Sequence, residues 1–160
     1  TVAELLIVNE GRVSIFNKNL SGKNLVKTVL YPESSIASDG AGYSTEHQKS
    51  GMLVHPRSFG TFVHFLHHFV KVLKKLTWEE AVQKISSRPA EIIGIKNRGM
   101  IAPKYFADLV IFGPDDLADN STYSNPYEYS KGIDWVIVNG KIAVKEGELT
   151  GVRAGKVLKK

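Results

Sequence analysis

The sequence predicts an α/β part followed by an all-β part. Between residues 13 and 38 a strand-like run, a helical run and a second strand-like run succeed one another, the order of a βαβ unit in a parallel sheet. After Gly94 the texture changes to short β-branched and aromatic runs separated by turns. Between two of those runs stands Asn139-Gly140, the dipeptide favoured in a type I′ hairpin. The predicted division is residues 1–98 and residues 99–160, and no internal repeat is present.

Taken in order, Val2 to Val8 is an apolar helical stretch closed by the turn-like Asn9-Glu10-Gly11. The chain starts at Thr1, directly in that helix and with no charged leader, and reads as the end of something longer. Val13-Ser14-Ile15-Phe16 is expected to be a short buried strand. Ser21 caps a helix from Asn24 to Leu30, with Leu25, Val26, Val29 and Leu30 on one face. Pro32 pushes Tyr31 out of the α region and ends it. Ser35 to Ser38 is expected to be a second strand, followed by a long polar stretch over residues 40–60. A helix is expected from Phe59 to Leu76. Thr77 and Glu80 then form a capping box for the next one, and Pro89 sits in the first turn of a short helix through Ile93. Met100-Ile101, Ala107 to Phe112, Trp135 to Val138 and Lys141 to Val144 are expected strands, with a polar loop at 113–132.

Composition narrows the class. Of 160 residues 42% are hydrophobic and 23% charged, which suits a globular protein and not a disordered tail. Apolar runs are strand-sized, so a membrane partner is not expected. There is no cysteine, hence no disulfide, thiolate metal site or thiol nucleophile, a composition at home in the cytoplasm. Lys and Arg exceed Asp and Glu by 21 to 16, for a net charge of +5. The densest basic groups, Lys71-Lys74-Lys75 and Lys156-Lys159-Lys160, are short and have few aromatics between them. A solvated basic surface accounts for them, and no nucleic-acid partner is expected.

Asp39 ends the second expected strand and is followed by Gly40-Ala41-Gly42. In α/β sheets that edge collects ligands and metals, where a carboxylate can ligate a cation and take a proton from water. The same residue fits an Asx-turn or the N-cap of the next element. His64 and His68 stand i,i+4 with His67 between them, a zinc-binding spacing. They lack an intervening glutamate, and Phe65, Leu66 and Phe69 surround them, as on an amphipathic helix. Arg57, in His55-Pro56-Arg57, suits a bidentate contact with a substrate carboxylate or plain solvent exposure. Ser14, Asn17 and Lys18 are placed for a site without a signature, and serine-hydrolase and phosphate-loop patterns are absent.

Longer stretches carry a resemblance. Residues 13–21, Ser38-Asp39-Gly40 and His55-Pro56-Arg57-Ser58-Phe59-Gly60-Thr61-Phe62 resemble the N-acyl-D-amino-acid deacylase (D-aminoacylase) branch of the metal-dependent amidohydrolase superfamily. Arg88-Pro89-Ala90, residues 99–103, Tyr105 to Val110, Val138-Asn139-Gly140 and residues 147–151 follow the same pattern. The resemblance implies the last two β/α units of a (β/α)8 barrel, its seventh strand at residues 13–17 and its eighth at Ser35–Ser38. The C-terminal strands of a small β-sandwich follow from residue 99. It implies zinc, one or two ions, with most ligands outside this chain. It makes Asp39 both the metal-site residue and the catalytic base and then acid, with Ser38, Gly40, His55 and Arg57 binding substrate. The expected substrate is an N-acyl-D-amino acid or a related cyclic amide. The family's paired metal histidines have no counterpart here, so the chain is expected to be an incomplete C-terminal portion, inactive alone. It would work with the remaining N-terminal part or a second chain. The competing reading is a non-catalytic homologue kept for assembly, with weak metal binding on the His64/His68 face.

Overall fold

A computed structural model describes residues 1–11, 13 and 15–158. Local signals account for most of its helices. The first helix, α1 (Val2–Val8), starts with a capping box from Thr1 and Glu4 and ends in a left-handed Glu10-Gly11 turn. None of its residues is buried. The second helix, α2 (Gly22–Leu30), takes its N-cap bond from Ser21, and Tyr31 leaves the helix with ψ 126°. In α4 (Trp78–Ile85) Thr77 and Glu80 form the expected capping box. In α5 (Ser87–Ile93) Pro89 lies in the first turn, and Gly94 closes the helix at φ 78°.

The helix expected from Phe59 to Leu76 begins earlier and is not uniform. As α3 (Arg57–Leu66) it is α-helical, then widens into a π-type turn over His67–Val72. There the Leu73 N–H reaches back to His68 O, and a left-handed Lys74 ends the run.

The core is helical. Val29 of α2, with Val63, Phe65 and Leu66 of α3, Phe69 and Ala81 of α4, forms one buried cluster. Leu117, only 2% exposed, enters it from the polar loop at 113–132. Lys84 is buried beside this cluster, and its ammonium donates to Tyr31 O at 2.7 Å, Ser34 Oγ at 3.0 Å and Ser34 O at 3.3 Å. Burial, and then the charge of Arg88, push its pKa down.

The all-β part is one antiparallel sheet in the order β1 (Leu109–Phe112), β2 (Ile133–Val138), β3 (Lys141–Lys145) and β4 (Glu148–Leu149). Asn139 and Gly140 join β2 to β3 with φ 50° and 75°, the left-handed pair that a type I′ turn requires. Glu146 and Gly147 repeat that pair, at φ 51° and 80°, before β4, an edge strand that the sequence pattern did not announce. The sheet touches the core through Phe112, whose ring is tilted against Trp78 with centres 5.6 Å apart, and through Ile133.

Several expected strands are not strands. Val13, Ile15, Phe16 and residues 35–38 lie outside any ladder, and Ser14, like Lys159 and Lys160, falls outside the described residues. A parallel strand draws its hydrogen bonds from neighbours on both sides. Here the Ile36 N–H donates to Lys84 O instead, at 3.0 Å. Met100-Ile101 is also irregular, because Gly99 turns at φ 83° and its carbonyl accepts from Ser86 Oγ. The described residues show a single sheet, not two stacked layers. None of their helices is long and apolar enough to cross a membrane.

Candidate functional site

Residues 38–40 and the start of α3 meet through a backbone contact. Ser38 Oγ accepts the Gly40 N–H at 3.2 Å, so serine makes the local turn bond that an aspartate could have made. Asp39 takes a left-handed conformation, φ 49°, which short polar side chains tolerate. A Cβ on Gly40 would stand 2.9 Å from Ser58 Cα and 3.3 Å from Arg57 O, so only glycine lets the two backbones approach. The carboxylate thereby faces the guanidinium, Asp39 Oδ2 lying 3.0 Å from Arg57 Nη1. Both groups are solvent-exposed, Asp39 by 85%. A pair of this kind contributes only ~0–1 kcal/mol, so it orients the carboxylate without sequestering it.

Gly40→Ala tests the contact. The added methyl cannot fit unless α3 shifts, at a cost of about 1–3 kcal/mol. A lower melting temperature is the expected result. An unchanged one would mean that the start of α3 moves freely and does not locate Arg57.

His55 precedes that helix. Its Nδ1 accepts the Arg57 N–H at 3.0 Å, and its Nε2 lies 3.1 Å from Tyr123 Oη. Its ring packs edge-on to Phe16 at 5.1 Å and to Tyr123 at 5.0 Å. Burial, with the Arg57 charge second, holds its pKa below the usual histidine value. Asn17 and Lys18 are exposed, and Ser14 lies outside the described residues.

The loop from Asp119 to Tyr123 straps α3 from the other side. Asp119 Oδ2 is 3.2 Å from His64 Nδ1, while its Oδ1 accepts the Ser121 N–H at 3.0 Å. Ser121 Oγ lies 3.2 Å from Pro56 O and 2.8 Å from Pro126 O. Gly60 has no room for a Cβ because the Asp119 carboxylate occupies that space. A glycine inside a helix is the one sequence signal that could have exposed this contact. A cavity of about 900 Å³ runs along α2 and α3, with Arg57, His55, Tyr123, His64, His68 and Asp119 among its lining.

His64 and His68 stack at 5.6 Å, and burial, followed by His64 and His67, pushes the His68 pKa down. Among the described residues no three His, Asp or Glu side chains gather as a metal would require. A catalytic zinc needs about three protein ligands. Asp39, facing a cation, is at most one of them, so these residues do not fit a zinc site by themselves.

Comparison with known proteins shows the family. The model of the amidohydrolase family, named Amidohydro_3, matches residues 41–144. The chain belongs to the amidohydrolase family. Within it the similarity falls on the D-aminoacylase branch. D-aminoacylase of Alcaligenes xylosoxydans xylosoxydans is 41% identical over 104 residues, 65% of this chain and 22% of that protein. The N-acyl-D-aspartate deacylase of the same organism is 36% identical over 129 residues, 80% of this chain and 24% of that protein. In three dimensions the chain is similar to the N-acyl-D-glutamate deacylase of Bordetella bronchiseptica, with a TM-score of 0.69 and 31% identity. That match covers 78% of this chain and 25% of that structure, which was solved with zinc and a phosphonate mimic of the tetrahedral intermediate. This amidohydrolase chain thus spans about a quarter of the length of the relatives it matches. Its His55 and Arg57 lie inside the matched family segment, and Ser38, Asp39 and Gly40 lie just before it.

Proposed function

We propose that this chain carries the Asp39 end of a zinc-dependent hydrolase that cleaves the amide of an N-acyl-D-amino acid or a related cyclic amide. The supporting observation is the structural likeness, over 78% of the chain, to a deacylase holding zinc and a mimic of its tetrahedral intermediate. In this reading residues 13–17 and 35–38, whose described residues form no ladder here, take the places of the last two barrel strands once neighbouring strands flank them, and the sheet after residue 99 is part of a β-sandwich. Asp39 stands at the zinc site, takes the proton of the attacking water as general base, and returns it to the leaving amine as general acid. Its exposure leaves it accessible to substrate. Arg57, with His55, Ser38 and Gly40 around it, holds the substrate's carboxylate by charge-assisted hydrogen bonds. Zinc, when bound, supplies Lewis-acid polarisation of the carbonyl, and most of its ligands come from outside this chain.

The same reading requires further polypeptide, either continuous with this chain or a second subunit. Val2, Leu5, Ile7 and Val8 of α1, with Ile15 and Leu20, are exposed and apolar, a surface suited to burial against missing strands. The chain by itself, at 17.7 kDa, is expected to retain no stoichiometric zinc and to hydrolyse no N-acetyl-D-aspartate or N-acetyl-D-glutamate. An assembly that supplies the remaining strands is expected to hold about one or two zinc per Asp39 and to be active. Native mass, metal content and hydrolysis measured together test both parts. Activity of the 17.7 kDa chain alone would overturn the need for a partner. A fully zinc-loaded assembly that left every N-acyl-D-amino acid intact would overturn the substrate assignment.

A further inference from the structure

The start of α3 lacks an ordinary cap. Its N-cap residue is Pro56, which offers no side-chain hydrogen bond to the orphan N–H groups of the first turn. The bond is supplied from outside the helix, by His55 Nδ1 accepting the Arg57 N–H at 3.0 Å. That bond fixes the protonation pattern of the ring. A nitrogen that accepts from an amide must present its lone pair, and a neutral imidazole carries one N–H. The hydrogen therefore sits on Nε2, and the contact of 3.1 Å to Tyr123 is a donation from His55 to the phenol oxygen. The lowered pKa of His55 agrees with a neutral ring.

Tyr123 is held where it can accept. Two residues before it Ser121 is pinned to Pro56 O, and one residue before it the Thr122 N–H donates to Asn125 O at 3.1 Å. Asn125 N returns a bond to Thr122 Oγ1 at 3.0 Å, closing a small ring of hydrogen bonds around the loop tip. A continuous line of contacts therefore runs from Tyr123 through His55 to the Arg57 backbone, and from the Arg57 guanidinium to Asp39.

We propose that Tyr123 is a positioning residue of the hydrolytic site: its phenol oxygen holds His55 in the tautomer that caps Arg57, and so sets where the guanidinium meets Asp39. This rests on the roles given above to Asp39 and Arg57. Tyr123 touches neither the reacting atoms nor Arg57 directly; it acts through the ring of His55.

Tyr123→Phe keeps the aromatic packing on Phe16 and His55 and removes only the oxygen. The test labels the full protein with nitrogen-15 histidine and compares it with the Phe variant, a His55→Ala variant assigning the resonance. The wild type is expected to show an unprotonated Nδ1 and a protonated Nε2 at His55. In the variant the pattern becomes a mixture of tautomers. The Arg57 amide then exchanges about tenfold faster, as for the loss of one supporting hydrogen bond, while Val63 and Phe65 keep their protection. With an N-acetyl-D-amino acid, KM rises about tenfold and kcat changes less than about threefold, because Arg57 binds the carboxylate and does not enter the bond-breaking step. A protonated Nδ1 in the wild type, or a variant with unchanged His55 resonances and Arg57 exchange, overturns the proposal. If the resonances and exchange change as expected and no form hydrolyses an N-acyl-D-amino acid, the positioning of Arg57 stands and the hydrolase reading falls.

Discussion

Asp39→Asn in the assembled enzyme is expected to lower kcat about 10³–10⁴-fold, the upper part of the range for losing a general acid–base group. Asparagine is isosteric and accepts a left-handed backbone, so φ 49° at this position is not disturbed. The ion pair it gives up, to Arg57, is exposed on both sides and contributes under about 1 kcal/mol. Melting temperature should therefore stay within about 3 °C of the wild type. This separation carries the test, because a residue that only shaped the turn at residues 38–40 would lower stability and activity together. Activity retained within a few-fold would remove Asp39 from the chemistry. A large loss of stability would assign it to the fold.

The second large effect is on stability, at the junction between the helical part and the sheet. Arg98 is 11% exposed; its guanidinium bonds the Asp108 carboxylate and Asn139 Oδ1, and lies over the Phe106 ring, 4.1 Å from its centre. Asp108 Oδ1 also accepts the Asn139 N–H at 2.8 Å, and Asn139 Nδ2 donates to Ala154 O at 2.7 Å. Arg98→Ala leaves a partly exposed carboxylate, 31% accessible, with one partner fewer and strips the guanidinium from the Phe106 ring. The expected cost is about 2–3 kcal/mol, below that of a fully buried pair because Asp108 keeps some contact with water. In a chain of this size it corresponds to about 5–10 °C in melting temperature. A shift under about 2 °C would show that the network is incidental to stability.

The same network sets a dependence on acid. Burial alone would raise the Asp108 pKa, but the Asn139 N–H and the Arg98 guanidinium outweigh it and hold the carboxyl below its ordinary range. The folded state thus binds its proton at lower pH than the unfolded chain does. Its stabilising contribution is complete above the ordinary carboxylate range and is lost as pH falls through that range toward the lowered value. Asp108→Asn should be less stable than the wild type near neutrality and converge on it in acid. Parallel stability curves for the two proteins down to acid pH would contradict this origin.

How much of this was legible in the sequence depended on how local the signal was. Ser21, Thr77 with Glu80, Pro89 and Asn139-Gly140 each act within a few residues, and the structure uses all of them as expected. Residues 13–16 and 35–38 have strand-like composition, but a strand is completed by neighbours. Composition cannot say whether a chain contains those neighbours. The run through Phe69 and Val70 reads as helix, and its widening depends on which carbonyl each N–H reaches, a choice of packing and not of periodicity. Around the site, Asp39 and Arg57 stood out by residue type and by their motifs. Tyr123 and Asp119 did not, since Tyr123 meets His55 across 68 positions from inside a loop that reads only as polar.

Leu117 bears on the order in which this chain folds. It fills the centre of a cluster whose other members lie between residues 29 and 81, so the helices cannot close their core from local contacts alone. A loop of more than thirty residues must be drawn shut first, and its closing entropy is spent before the contact repays it. The helices should therefore gain secondary structure early on refolding and rigid packing late. The last amides to gain protection would be those beside Leu117, so the strap that brings Tyr123 to His55 would be set at the end of folding.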